Sequence, residues 1–104
     1  MTNSETIGAP LPHYAVILTV VPGDDLDGYR EMCQHLVAKA KTHPGFLGIE
    51  MAESDIGIVV SYWESIDAIR IWSADSFHQA AKHEAKQRWY KSFRTRICKV
   101  ELNY

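Results

Sequence analysis

Cysteine is scarce in this chain: Cys33 and Cys98 are the only two, and they form neither a CxxC pair nor a metal-ligand spacing. Two such residues cannot build a disulfide framework, which points to a reduced, cytoplasmic setting. A basic excess is missing as well, since eleven Lys and Arg face thirteen Asp and Glu for a formal net charge of −2. Nucleic-acid binding therefore has no electrostatic footprint. Uncharged apolar runs stay under about ten residues, too short for a membrane-spanning helix. The opening Met-Thr-Asn-Ser-Glu-Thr has neither the basic region nor the apolar segment of a secretory signal. Nucleophile elbow, phosphate loop, dinucleotide fingerprint and HExxH are all absent, which removes hydrolases of those kinds, NTPases and zinc peptidases. What is present is a globular composition, 46% hydrophobic and 23% charged over 104 residues, enough for one domain.

Residues 1–12, with Gly8, Pro10 and Pro12, show no periodic apolar face and read as a flexible tail. Residues 13–104 read as a single domain. Tyr14 to Val21 is a β-branched apolar run closed by Pro22-Gly23, the signature of a strand. Asp24 or Asp25 is placed to cap a helix whose stripe runs through Leu26, Tyr29, Met32, Cys33, Leu36, Val37 and Ala40. Pro44-Gly45 ends that helix. Phe46 to Ala52 and Ile56 to Trp63 form a hairpin across Glu53-Ser54-Asp55. Ser65 opens a helix through Ile66, Ile69 and Trp72, with a break near Ala74 to Ser76 and a second helix from Phe77 to about Tyr90. Arg94 to Leu102 alternates as the last strand.

The order β-α-β-β-α-β is that of a ferredoxin-like α+β fold, an antiparallel sheet with helices on one face. The first and third strands are apolar at nearly every position, as central strands should be, and they are apolar on both faces. Tyr14, Val16, Leu18 and Val20 point one way and Ala15, Ile17, Thr19 and Val21 the other. Two helical segments cover one face only. The second face would be an exposed apolar patch, which predicts a homodimer packed sheet to sheet about a twofold axis.

Pro44-Gly45-Phe46-Leu47-Gly48, Val60-Ser61-Tyr62-Trp63-Glu64-Ser65 and Ala68-Ile69-Arg70-Ile71-Trp72, followed by a helix carrying His78, resemble the antibiotic biosynthesis monooxygenase (ABM) family of dimeric α/β-barrel proteins. The resemblance runs from about Tyr14 to Leu102 and implies the dimeric barrel. For chemistry it implies several options. Some members oxidise aromatic polyketides or quinols with O₂ and no cofactor, others bind and degrade haem, and many small members have no established reaction. In the haem-degrading members an Asn of the first strand joins a helical Trp and a His ten residues later. Here no Asn lies between His13 and Val21, and the histidines follow Trp72 by six and eleven positions.

The candidate site residues follow. Trp63 and Trp72 would wall a pocket for an aromatic substrate, with core packing as the alternative for each. His78 and His83, separated by about 140° around a helix, cannot share one metal. With the apolar face centred on Phe77, Ala81 and Ala85, His78 sits on its flank and His83 toward solvent. His78 is the candidate general base or haem ligand, with a solvated rim histidine as the alternative. Tyr62, Tyr14, Tyr29 and Ser61 supply hydroxyls that could orient a phenolic or quinone oxygen. His13, His35 and His43 show no ligand spacing. Glu84 and Arg88 project inward four residues apart, either as a cavity or dimer contact or, if the helix bends, as a surface pair. The expected activity is a cofactor-independent monooxygenase acting on a phenol, anthrone or quinol, with haem chemistry or a non-enzymatic binding or stress-associated module as the other readings.

Overall fold

The β-branched run after Pro12 pairs along its whole length, because Val, Ile and Thr side chains pack well on a pleated surface. In the computed structural model, which describes residues 9–104, this run is β1 (His13–Pro22). Residues 1–8 of the expected tail lie outside the described residues. The described residues continue as α1 (Tyr29–Ala40), β2 (Phe46–Glu53), β3 (Gly57–Trp63), α2 (Ile66–Ala74), α3 (Ser76–Glu84) and β4 (Tyr90–Val100). A π-helical turn (Ala85–Trp89) joins α3 to β4. The sheet order is β2-β3-β1-β4, antiparallel throughout, with β3 and β1 central. This is the ferredoxin-like α+β fold.

Three local features differ from the sequence expectation. Helix α1 starts at Tyr29 without an aspartate cap, and Gly28 takes its N-cap with φ 81°. Asp25 is occupied elsewhere, accepting the Asp27 N–H at 3.1 Å within the loop. That loop is held from across the fold, because the Asp27 carbonyl accepts from Trp89 Nε1 at 2.9 Å and from Arg88 at 2.8 Å. The last helix is shorter than its apolar pattern suggests. It widens into the π turn after Glu84, and β4 begins at Tyr90, where it already pairs with Pro22. Glu84 and Arg88 form an exposed ion pair at 2.7 Å across this turn, and Arg88 also reaches Asp25 at 3.5 Å.

The core sits between α2, the end of α1 and one end of the sheet: Ala40, Trp63, Ala68, Ile69 and Trp72 are buried together, with Tyr14, Val16, Leu36, Phe46 and Ile66 packed against them. Gly45 makes this possible. Its φ is 86°, and a Cβ there would stand 2.7 Å from the Cβ of Ala68. Only glycine lets the α1–β2 turn approach the start of α2 so closely. Ser65 caps α2 by accepting the Ala68 N–H at 3.0 Å, as its position predicts.

Candidate functional site

Trp63 ends β3 on the helix side of the sheet and is fully buried; its indole N–H donates to the Ser61 hydroxyl at 3.0 Å. Trp72, one face of α2, lies over it with ring centroids 6.0 Å apart and planes 23° from parallel. The imidazole of His78 then stacks on Trp72 at 4.4 Å and 8°. Three flat rings thus form a continuous ladder from the sheet to α3.

The break between α2 and α3 sets the orientation of His78. Asp75 caps α3, its Oδ1 accepting the N–H groups of Phe77 at 2.8 Å and His78 at 3.2 Å. The turn brings His78 Nδ1 within 3.1 Å of the Trp72 carbonyl. A carbonyl only accepts, so Nδ1 carries the hydrogen and Nε2 keeps the lone pair of the neutral ring. Burial lowers the pKa of His78 below the ordinary value of 6.5, opposed by the Trp72 carbonyl and reinforced by the charge of Lys82. At neutral pH this imidazole is a base in the correct tautomer to accept a proton at Nε2.

His43 belongs to the same cluster, although no spacing in the sequence pointed to it. Its Nε2 meets Asp75 Oδ2 at 2.9 Å, and its ring edge touches Trp72 at a centroid distance of 5.0 Å. The pair places a carboxylate, held below its ordinary pKa by His43 and by the two backbone N–H groups, directly behind the His78 backbone. The one legible signal was an aspartate at a helix start.

Between these helices and the sheet lies a cavity of about 220 Å³ whose walls include Trp63, Trp72, His78, Ser61 and Tyr29. The structure therefore brings Trp63, Trp72 and His78 to one site. Tyr14 packs against the buried core beside them, opposite Trp63 in register. Tyr62 is on the other side of the sheet. It stands opposite Ala15, its ring meets His13 edge-on at 6.0 Å, and burial plus a hydrogen bond to Glu50 push its phenol up to about 12. His83 is exposed, and His35 contacts only the edge of Phe77 at 6.4 Å among ring neighbours. At the far end of the cavity, Tyr29 packs on Trp89 and Tyr90 at 5.6 and 6.1 Å, with the Cys33 thiol beside it. Among the described residues no group of three His, Cys, Asp or Glu side chains could hold a metal ion.

A four-stranded antiparallel sheet with its helices on one face and a histidine-bearing apolar cavity between them defines the class as ferredoxin-like α+β. Residues 12–84 match the model of the antibiotic biosynthesis monooxygenase family, and the chain belongs to that family. It is 45% identical over 92 residues to an uncharacterised protein, YqjZ, of Bacillus subtilis strain 168, covering 86% of this chain and 81% of that one. Among solved structures it resembles SnoaB, a cofactor-independent oxygenase from Streptomyces nogalater, with TM-score 0.76 and 10% identity over 88% of this chain and 95% of that one. It also resembles Rv0793 from Mycobacterium tuberculosis, with TM-score 0.77 and 12% identity over 88% and 97% of the two chains. At such identities these structures speak for the fold alone.

Proposed function

We propose that this protein is a cofactor-independent monooxygenase that oxidises a small electron-rich aromatic, such as a phenol, anthrone or quinol, with O₂. The observation that carries the reading is His78: a neutral imidazole with its lone pair at Nε2, stacked on Trp72 in the wall of an apolar cavity. Trp63 and Trp72 stack behind His78 and back the cavity wall, and Ser61 and Tyr29 add hydroxyls. Nε2 of His78 takes the proton from the substrate C–H or O–H. The resulting anion is electron-rich enough to reduce O₂ directly, and the radical pair combines to a peroxide, which takes the proton back from His78 and loses water, leaving one oxygen atom as a carbonyl. A dry pocket, a base and a few donors are all that the protein supplies. Asp75 and His43 hold the base in place.

Haem as the oxidising group is less well supported. A cavity of about 220 Å³ falls below the range of roughly 300–1,000 Å³ that buries even drug-sized ligands. β1 also carries no Asn. A Soret-band titration that showed stoichiometric haem binding would reverse this preference.

The proposed enzyme acts as a homodimer in the cytoplasm. Its support is the second sheet face, where Ile17, Thr19, Ile58, Val60 and Tyr62 form a partly exposed apolar surface that no helix of the described residues covers. No helix of the described residues is long and apolar enough to cross a membrane.

Oxygen uptake with a panel of hydroxylated anthrones and quinols tests the reaction. Wild-type protein is expected to consume O₂ above buffer, and His78→Ala to slow this by about 10²–10⁴-fold, the usual share of a general base. Uptake indistinguishable from buffer for both proteins would remove the proposal and leave a binding module.

A further inference from the structure

The charged side chains that line the cavity, Lys82 and Lys86, are both positive. His78, Lys82 and Lys86 follow one another at four-residue intervals along α3 and the π turn, each in the cavity wall, while the small neighbours Ala81 and Ala85 are buried beneath. No Asp or Glu lines the cavity. Neither lysine has an acidic partner within 4.0 Å among the described residues. The nearby Arg88, by contrast, is committed to Glu84, Asp25 and the Asp27 carbonyl. Lys86 is exposed, and its ammonium lies 5.7 Å from the ring centre of Phe93, a cavity residue on β4. Two unpaired cations thus stand at the border of an apolar space, one of them bent toward the strand on the far side.

Because the whole chain carries a formal charge of −2, this strip is a local feature and not part of a general basic surface. A neutral aromatic would gain nothing from it. We infer that the cavity takes a planar aromatic carboxylate, its ring against the apolar wall and its anionic oxygens between Lys82 and Lys86. This rests on the proposal that the cavity is the substrate site, and it narrows the substrate to one bearing a fixed negative group beside the oxidisable ring. Lys82 serves a second purpose there, since the anion that forms when His78 takes the proton develops next to its charge.

Calorimetric titration of the intact protein with β-naphthoate and with the neutral β-naphthyl methanol tests the inference without any turnover. The carboxylate is expected to bind about tenfold more tightly, roughly the effect of two solvent-exposed charge contacts, with the advantage shrinking as salt is raised. Replacing both lysines (Lys82→Gln with Lys86→Gln) should erase the advantage, and the matching pair Lys82→Arg with Lys86→Arg should retain it. Equal affinity for the two compounds, no binding of either, or an advantage unchanged in the glutamine variant would overturn the inference. The oxygen-uptake panel separates this from the reaction itself. A carboxylate preference without oxygen consumption sinks the proposed reaction alone; oxygen consumption with equal affinities sinks the present inference alone.

Discussion

On its helix side the sheet presents Val16, Leu18, Val59 and Trp63; on its other side it presents Ala15, Ile17, Val60 and Tyr62. Both sets are apolar, but they differ in shape and in what borders them. The helix side carries the indole that three helices close over, and the voids between large rings leave a cavity. The other side carries smaller side chains, Ala, Ile, Val and Thr, around the single ring of Tyr62, with Arg94 and Arg96 along the β4 margin and Glu50 on β2. An apolar face of mostly small side chains with charges at its margins suits another sheet at about 10 Å; a face with a protruding indole suits helices. In our proposal, one sheet therefore serves chemistry on one side and association on the other.

The largest expected effect tests the helix side. Trp63→Ala should cost about 3–5 kcal/mol in chemical denaturation, because a fully buried indole is exchanged for a cavity. A loss under about 1 kcal/mol would mean that this face is not where the fold is held. Adjacent residues of β3 then divide the two faces directly. Val59→Asp, which aims a charge into the half-buried cavity wall, should cost about 1–3 kcal/mol in chemical denaturation. Val60→Asp, on the other face, should leave the circular dichroism spectrum intact and convert the protein from dimer to monomer in sedimentation velocity. If Val60→Asp stays dimeric, the association face is wrong.

Smaller effects probe the base. The lowered pKa of His78 means that the unfolded chain binds its proton more readily, so stability is complete above about pH 6.5 and falls as pH drops through the folded value. The rate with a suitable substrate should rise through that same lowered pKa to a plateau, and an NMR titration of the His78 ring should place it below 6.5. Asp75→Ala removes the cap of α3 and the partner of His43. It should lower the thermal midpoint and soften the acid limb below pH 3.8, since the depressed carboxyl stabilises the fold only while ionised. Glu84→Gln should leave the thermal midpoint unchanged, as expected for an exposed pair.

Much of the fold was legible because it rests on short-range patterns. The β-branched run of β1, Ser65 before α2 and Gly45 in its turn each announce a local conformation. His78 and Trp72 were legible for the same reason, as flank and stripe of helices whose period is fixed. Tyr62 was expected at the site beside Trp63, but adjacent residues of a strand point to opposite faces, and Tyr62 stands opposite Ala15 on the face away from the cavity. His43 was hidden because its partner Asp75 lies 32 residues away, and no local period connects a helix terminus with an interhelix break. The π turn was hidden too, since its ring of contacts, from Trp89 and Arg88 to Asp27, spans about 60 positions.

The residue order alone settled the succession of strands and helices and that the two central strands are apolar on both faces, but not where the last helix gives way to β4 or that Glu84 and Arg88 pair at the surface. Backbone sterics and the burial of nonpolar surface act over a few residues and leave their mark in the pattern. Only the folded chain decided that His78 stacks flat on Trp72, that His43 and Asp75 brace it, and that Lys82 and Lys86 border the cavity without an acidic neighbour. Those relations depend on how elements from distant positions pack, and side-chain geometry across such distances is set by the whole core at once.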